Sequence, residues 1–234
     1  MSPKDPELPN LQRSASNESR KSVCTPGLMK TGQPQSTARV AYLIGVSGSG
    51  KGHLSKRMAQ TLMGLHLIET DPFRDKTVSK LGLPDVFSKD NWNHRDDHHR
   101  VSEVPATLAD LLIDSDRNLS RATHIIAEGI ILGHAGWRKA FENALNIAGI
   151  TPCETPVFWL DPPAEKVFEH RRQRARSGQP AETLANVKNH VEWYRERIRT
   201  DGCFRHANAD VIGKGIAEFM CVGSGVTETA LDCG

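Results

Sequence analysis

Three glycines, two serines and a lysine are gathered in Gly45-Val46-Ser47-Gly48-Ser49-Gly50-Lys51, directly after a β-prone apolar run at 40–44. Glycines lack a Cβ, so a backbone built on them can wrap a polyphosphate and aim successive N–H groups, with the positive end of the next helix, at one anion. Lys51 would reach the β and γ phosphates as a point charge. Leu54, Met58 and Leu62 recur every four residues, one face of the helix that must follow such a loop. Gly45, Ser47, Gly48, Ser49, Gly50, Lys51, Gly52 and His53 are therefore the expected phosphate cradle.

Phosphoryl transfer needs more than a cradle: a metal near the β and γ phosphates, a carboxylate for the acceptor's proton, and cations on the transferring group. Asp71, in Thr70-Asp71-Pro72-Phe73-Arg74, follows a second strand and faces the crevice where ligands bind in open α/β sheets. It is the leading candidate for general base or water-mediated metal ligand, with Arg74 orienting substrate. A helix N-terminus would also explain an Asp followed by Pro. Glu128 ends the apolar strand Ile125-Ile126-Ala127, a place costly for a carboxylate to occupy unless it serves a metal.

Arg171, Arg172, Arg174 and Arg176 precede Gly178-Gln179-Pro180. Guanidiniums on a mobile cover would neutralise charge on the γ-phosphoryl group, although a solvated basic face explains the same run. One helical register cannot aim all four inward. Arg172 and Arg176, four apart on one face, are the favoured pair. The polar segment from Trp92 to Arg100 reads as an acceptor-site loop, with Trp92 and His94 touching substrate. Its histidines have no complete ligand set for zinc. Arg138 is a further candidate phosphate contact, beside Trp137 at the start of an amphipathic helix.

These groups need strands to carry them. Short β-like runs at 40–44, 67–69, 125–128 and 157–160 alternate with helical stretches at 51–63, 105–113, 136–148, 163–176 and 182–199. That alternation predicts a three-layer α/β fold with a parallel sheet covered on both faces. Asp161-Pro162 predicts a helix start with Asp as N-cap. A fifth strand is expected at 209–212 and a short helix at 216–222. Residues 1–38, rich in proline, serine and charge, read as a disordered tail, 39–222 as the domain, with an arginine-bearing cover at 171–181, and 223–234 as a second tail.

Of 234 residues, 25% are charged and the formal net charge is +2, which gives no basic excess for nucleic acid. No apolar run approaches the roughly 20 residues of a membrane span. Five cysteines without paired spacing, and no secretory signal, point to reduced thiols in a cytoplasmic protein. The expected partner is a small-molecule substrate rather than nucleic acid or membrane, and the chain a monomer or homodimer.

The segment 40–199 resembles the P-loop kinases of small metabolites and nucleotides. GVSGSGKG at 45–52 is similar to the loop of nucleoside monophosphate kinases, where glycine follows the lysine. Asp71, the segment 91–97 and Ile126-Ala127-Glu128-Gly129-Ile130 look more like uridine kinase and nicotinamide riboside kinase relatives. The resemblance implies a P-loop NTPase fold with a five-stranded sheet in the order 2-3-1-4-5, ATP with magnesium, and transfer to a hydroxyl of a nucleoside or related metabolite. A nucleoside monophosphate kinase is the neighbouring alternative. Two departures stand out: Gly52 and His53 leave no hydroxyl after Lys51, where the common pattern binds magnesium with Ser or Thr, and Arg95 stands where relatives have proline. The first gives reason to consider a nucleotide-binding regulatory protein with weak or no catalysis.

Overall fold

The computed structural model describes residues 36–82, 103–116, 118–175, 182–198 and 202–221. The expectations for the tails at 1–35 and 223–234, for Trp92 and His94, and for Arg176 lie outside the described residues.

Strand β1 (Ser36–Ile44) begins earlier than the expected domain start at 39. It alternates as a strand buried on both faces must: Val40, Tyr42 and Ile44 enter one core cluster, Ala41 and Leu43 the other. There follow α1 (Lys51–Thr61), β2 (Leu65–Glu69), α2 (Thr70–Leu81), α3 (Glu103–Ser115), β3 (His124–Glu128), α4 (Ala135–Ile147), β4 (Ile150–Glu154), β5 (Val157–Leu160), α5 (Ala164–Arg174), α6 (Leu184–Arg197), β6 (Phe204–His206) and α7 (Ala209–Cys221). No described helix is long and apolar enough to cross a membrane.

The sheet runs β2-β3-β1-β5-β6 with parallel pairing, and β4 pairs with the first half of β1. It has six strands where five were expected. β4 lies against Ser36–Arg39 and β5 against Tyr42–Ile44, so the two occupy one edge of β1 in succession. Pro156, which has no N–H to give a ladder, sits at the interruption, and its carbonyl accepts from the Tyr42 amide at 3.0 Å. Counted as one broken strand, β4 and β5 restore the order 2-3-1-4-5.

Helices cover both faces. Tyr42, Ile44 and Ile125 pack with Leu108 and Leu112 of α3, Phe141 and Leu145 of α4, and Val187, Val191 and Tyr194 of α6. Ala41, Leu43, Ile126 and Phe158 pack with Leu54 and Met58 of α1 and Ile212 and Ile216 of α7. Each such buried aliphatic side chain stabilises the fold by about 1.5–3 kcal/mol. These two layers clamp the sheet, so the carboxyl ends of β1, β2 and β3 are held side by side.

Two local expectations are corrected. Residues 209–212 open α7 rather than forming a strand, because Ile212, Ile216 and Met220 are spaced as one buried helical stripe; the last strand is Phe204–His206. Asp161 does not cap a helix. Pro163 is the N-cap of α5, and the buried Asp161 carboxylate pairs with Arg195 at 3.0 Å and with Arg205. The helix N-terminus weighed at Asp71-Pro72 is present: α2 has Glu69 as its N-cap residue, keeps Asp71 in its first turn, and ends at Gly82 in the left-handed conformation (φ 59°).

His134, the N-cap residue of α4, is largely buried, and burial together with Arg138 and Arg197 moves its imidazole from an ordinary 6.5 to about 3. A lowered value means that the unfolded chain takes up a proton that the folded chain refuses. The associated stability is fully present above about pH 6.5 and is lost as the pH falls toward 3, by at most about 1.4 kcal/mol per unit. Urea unfolding across that window should show a steeper loss for the wild type than for His134→Gln, which carries no titrating ring. Equal slopes would contradict this assignment.

Candidate functional site

The loop between β1 and α1 is shaped by the absence of side chains. A Cβ on Gly45 would stand 2.4 Å from the Leu160 carbonyl oxygen, and one on Gly48 would stand 2.8 Å from Cγ of Arg171. Gly48 and Gly50 have φ of 90° and 102°, where L side chains are strained. Helix α1 begins with no side-chain cap and no acidic residue in its first turn, so its positive end is left to an anion.

Lys51 is 9% exposed, and its ammonium donates to the Val46 carbonyl at 3.2 Å. Burial lowers its pKa; the charges of Asp71 and Glu128 act against that, and Arg174 and Arg171 act with it. The two carboxylates act on Lys51 from the carboxyl ends of neighbouring strands and the turn beyond. Glu128 closes β3, in register with Leu43 of β1 and Glu69 of β2. Asp71 follows β2, and the hydroxyl of Thr70 beside it donates to the Glu128 carbonyl at 2.9 Å. Burial also raises the Glu128 pKa, against the influence of Lys51.

Both carboxylates have an oxygen that the protein does not satisfy. Oδ1 of Asp71, Oε2 of Glu128 and Oγ of Ser49 are buried with no hydrogen-bond partner. Unsatisfied buried acceptors are expensive, and they mark a place completed by a ligand, ion or water. Two carboxylates beside a phosphate cradle suit magnesium, which is commonly held by one or two carboxylates with substrate phosphates and water. Among the described residues no group of three or more His, Cys, Asp or Glu could hold a metal by itself.

Ser47, Gly48, Ser49, Gly50, Lys51, Gly52, His53, Asp71 and Glu128 line one cavity of about 840 Å³. Gly45 lies beneath it, against Leu160. Other expected residues are not brought there. Arg74 turns to Asp75 (Nε to Oδ1 2.6 Å), and Arg138 donates to the Leu132 carbonyl at 2.7 Å. Arg172 points to solvent, 68% exposed and paired with Glu169 at 3.1 Å.

The arginines of the run that approach the loop are Arg171 and Arg174. Arg171 donates to the Ser47 carbonyl at 2.7 Å, to Glu182 at 2.6 Å and to Nδ1 of His190 at 3.0 Å. Its neighbour His170 donates from Nδ1 to the Gly48 carbonyl at 2.9 Å, and Arg174 lines the cavity. Sequence reading passed over His170, Lys56 and Lys166, which also line it or bind the loop. His170 sits four residues before Arg174, and that spacing on one helix face is the signal available.

No curated protein matches the chain. The tunicamycin resistance protein of Deinococcus radiodurans is 21% identical over 80% of this chain and 96% of its own, with a TM-score of 0.45. A gluconokinase from Sinorhizobium meliloti 1021 is 16% identical over 81% and 93%, TM-score 0.43. The APS kinase of Mycobacterium tuberculosis, solved with AMPPNP and APS, is 16% identical over 80% and 98%, TM-score 0.43. The family model described as AAA domain matches residues 40–198, the stretch that holds the loop, both carboxylates and the helices around them. With well over half of its length matched in this way, the chain belongs to the AAA domain family.

Proposed function

We propose that the chain is an ATP-dependent phosphotransferase that moves the γ-phosphoryl group to a hydroxyl of a small metabolite, a nucleoside or a related sugar-bearing compound. The observation that carries this is the buried Lys51 ammonium in the field of two carboxylates, each with a buried unsatisfied oxygen, beside a glycine-shaped loop. A site that only stored a nucleotide would need the loop and the lysine. It would not need two carboxylates in front of them, one of them buried.

The roles follow from position. Loop amides and Lys51 hold the polyphosphate. Asp71 accepts the proton as the acceptor's O–H bond breaks; the freed oxygen forms a bond to phosphorus, and the bond from phosphorus to the bridging oxygen breaks to release ADP. Glu128, with Asp71 through water, would hold magnesium, which when bound withdraws charge from the phosphate oxygens. Arg174 faces the cavity and supplies the cation first assigned to Arg172, while Arg171 fixes α5 to the loop. The acceptor class rests on the resemblance of residues 71 and 126–130 to uridine kinase and nicotinamide riboside kinase relatives.

An acceptor screen that follows ATP consumption tests the reading. Nucleosides or sugar-bearing metabolites should support turnover; a response to nucleoside monophosphates alone would move the chain to the monophosphate kinases. Tight ATP binding with no product from any acceptor would favour a regulatory nucleotide-binding protein. With an accepted substrate, Asp71→Asn should lower kcat by about 10²–10⁴-fold and change ATP affinity by less than about threefold. Unchanged kcat would remove Asp71 from the chemistry. Arg171→Ala, which frees the Ser47 carbonyl, should raise the ATP Kd by about tenfold or more, whereas Arg172→Ala should leave it unchanged.

A further inference from the structure

The common loop carries a hydroxyl on the residue after its lysine, and this chain has Gly52 there and His53 next. What fills that space is visible. A Cβ built on Gly52 would meet Oε1 of Glu128 at 3.2 Å, closer than such contacts ordinarily run, so the carboxylate already occupies the room a side chain at 52 would claim. The other carboxylate oxygen, Oε2, is buried and without a hydrogen-bond partner. One turn along α1 from Lys51, and on the same face, stands Ser55 with no exposed surface. Its hydroxyl is 3.4 Å from the Gly52 carbonyl, and its influence lowers the Glu128 pKa against the effect of burial.

We propose that Gly52, Ser55 and Glu128 act as one unit in place of the missing hydroxyl: bare Gly52 admits the Glu128 carboxylate, Ser55 orients it, and that carboxylate holds the nucleotide's divalent cation. Ser55 is then a positioning residue, acting through Glu128. The inference rests on the reading of the site as one for a magnesium nucleotide, and it adds which atoms do the holding. Its consequence runs against simple restoration of the loop pattern. A serine at 52 would bring back a hydroxyl, yet its Cβ would press on Glu128 and shift by a few tenths of an ångström the carboxylate that this chain uses.

The test is calorimetry of ADP binding to the full chain, with magnesium and with EDTA, for wild type, Gly52→Ser, Ser55→Ala and, as a measure of complete loss, Glu128→Gln. In the wild type magnesium should tighten binding. That gain should fall by about tenfold or more in both Gly52→Ser and Ser55→Ala, the size of effect that outer-shell partners of a metal have. Metal-free ADP affinity should stay within about twofold in Ser55→Ala, which reports an intact fold and an intact phosphate cradle. A larger magnesium gain in Gly52→Ser would overturn the proposal, because the added hydroxyl would then be serving the metal as in the common loop. An undiminished gain in Ser55→Ala would equally overturn it. If the wild type binds ADP in neither condition, the nucleotide reading itself falls, a result separable from both of these.

Discussion

An ammonium taken out of water is the constraint around which the site is arranged. Lys51 starts α1 almost wholly buried, and desolvating such an ion costs on the order of several kcal/mol unless opposite charge is brought to it. The structure brings two carboxylates, Asp71 and Glu128, each from the end of a different strand. Glu128 is itself buried and is driven toward its neutral form by the same desolvation, and Asp71 is half-buried. Neither side of this cluster is well solvated alone. Asp71, Glu128 and Ser49 line the cavity, and each keeps a buried oxygen without a hydrogen-bond partner.

Holding such a cluster together is the task of the sheet. Parallel pairing of β2, β3 and β1 sets Glu69, Glu128 and Leu43 in one register, so the loops that leave these strands meet at one edge. Close approach then depends on glycine at particular places. At Gly129 a Cβ would stand 2.0 Å from Oγ1 of Thr70 and 2.9 Å from Oδ1 of Asp71, so the bond from Thr70 to the Glu128 carbonyl exists only because position 129 is bare. On the other side His170 and Arg171 bond the Gly48 and Ser47 carbonyls, which fixes the loop from above by α5. The loop is pre-shaped from both sides, and little ordering is left for a ligand to provide.

Much of this was legible in residue order, for a physical reason. A glycine-rich loop between an apolar run and an amphipathic stretch has few other uses, and an acid at the tip of an apolar strand such as Glu128 is too costly to be incidental. Both helical layers followed from period, whereas the strand order was what the family resemblance implied. What escaped was set by phase and by context. Helix α2 has only a weak apolar stripe, so periodicity did not reveal it, although Asp71, Lys80 and Gly82 mark its ends. In the arginine run the spacing identified a face but not which face looks inward; α5 is rotated so that Arg171 and Arg174 approach the loop and Arg172 meets solvent. Ser55 carried no motif at all, and only its place one turn from Lys51 tied it to the site.

The central claim is that Lys51 and the backbone amides of residues 45–52 close around a triphosphate. Calorimetric titration of the intact chain with ATP tests it most directly. The account predicts binding with a Kd on the order of micromolar, about −8 kcal/mol, abolished by Lys51→Ala while the variant's unfolding transition stays cooperative. Absence of heat from ATP, with or without magnesium, in the correctly folded wild type would contradict it.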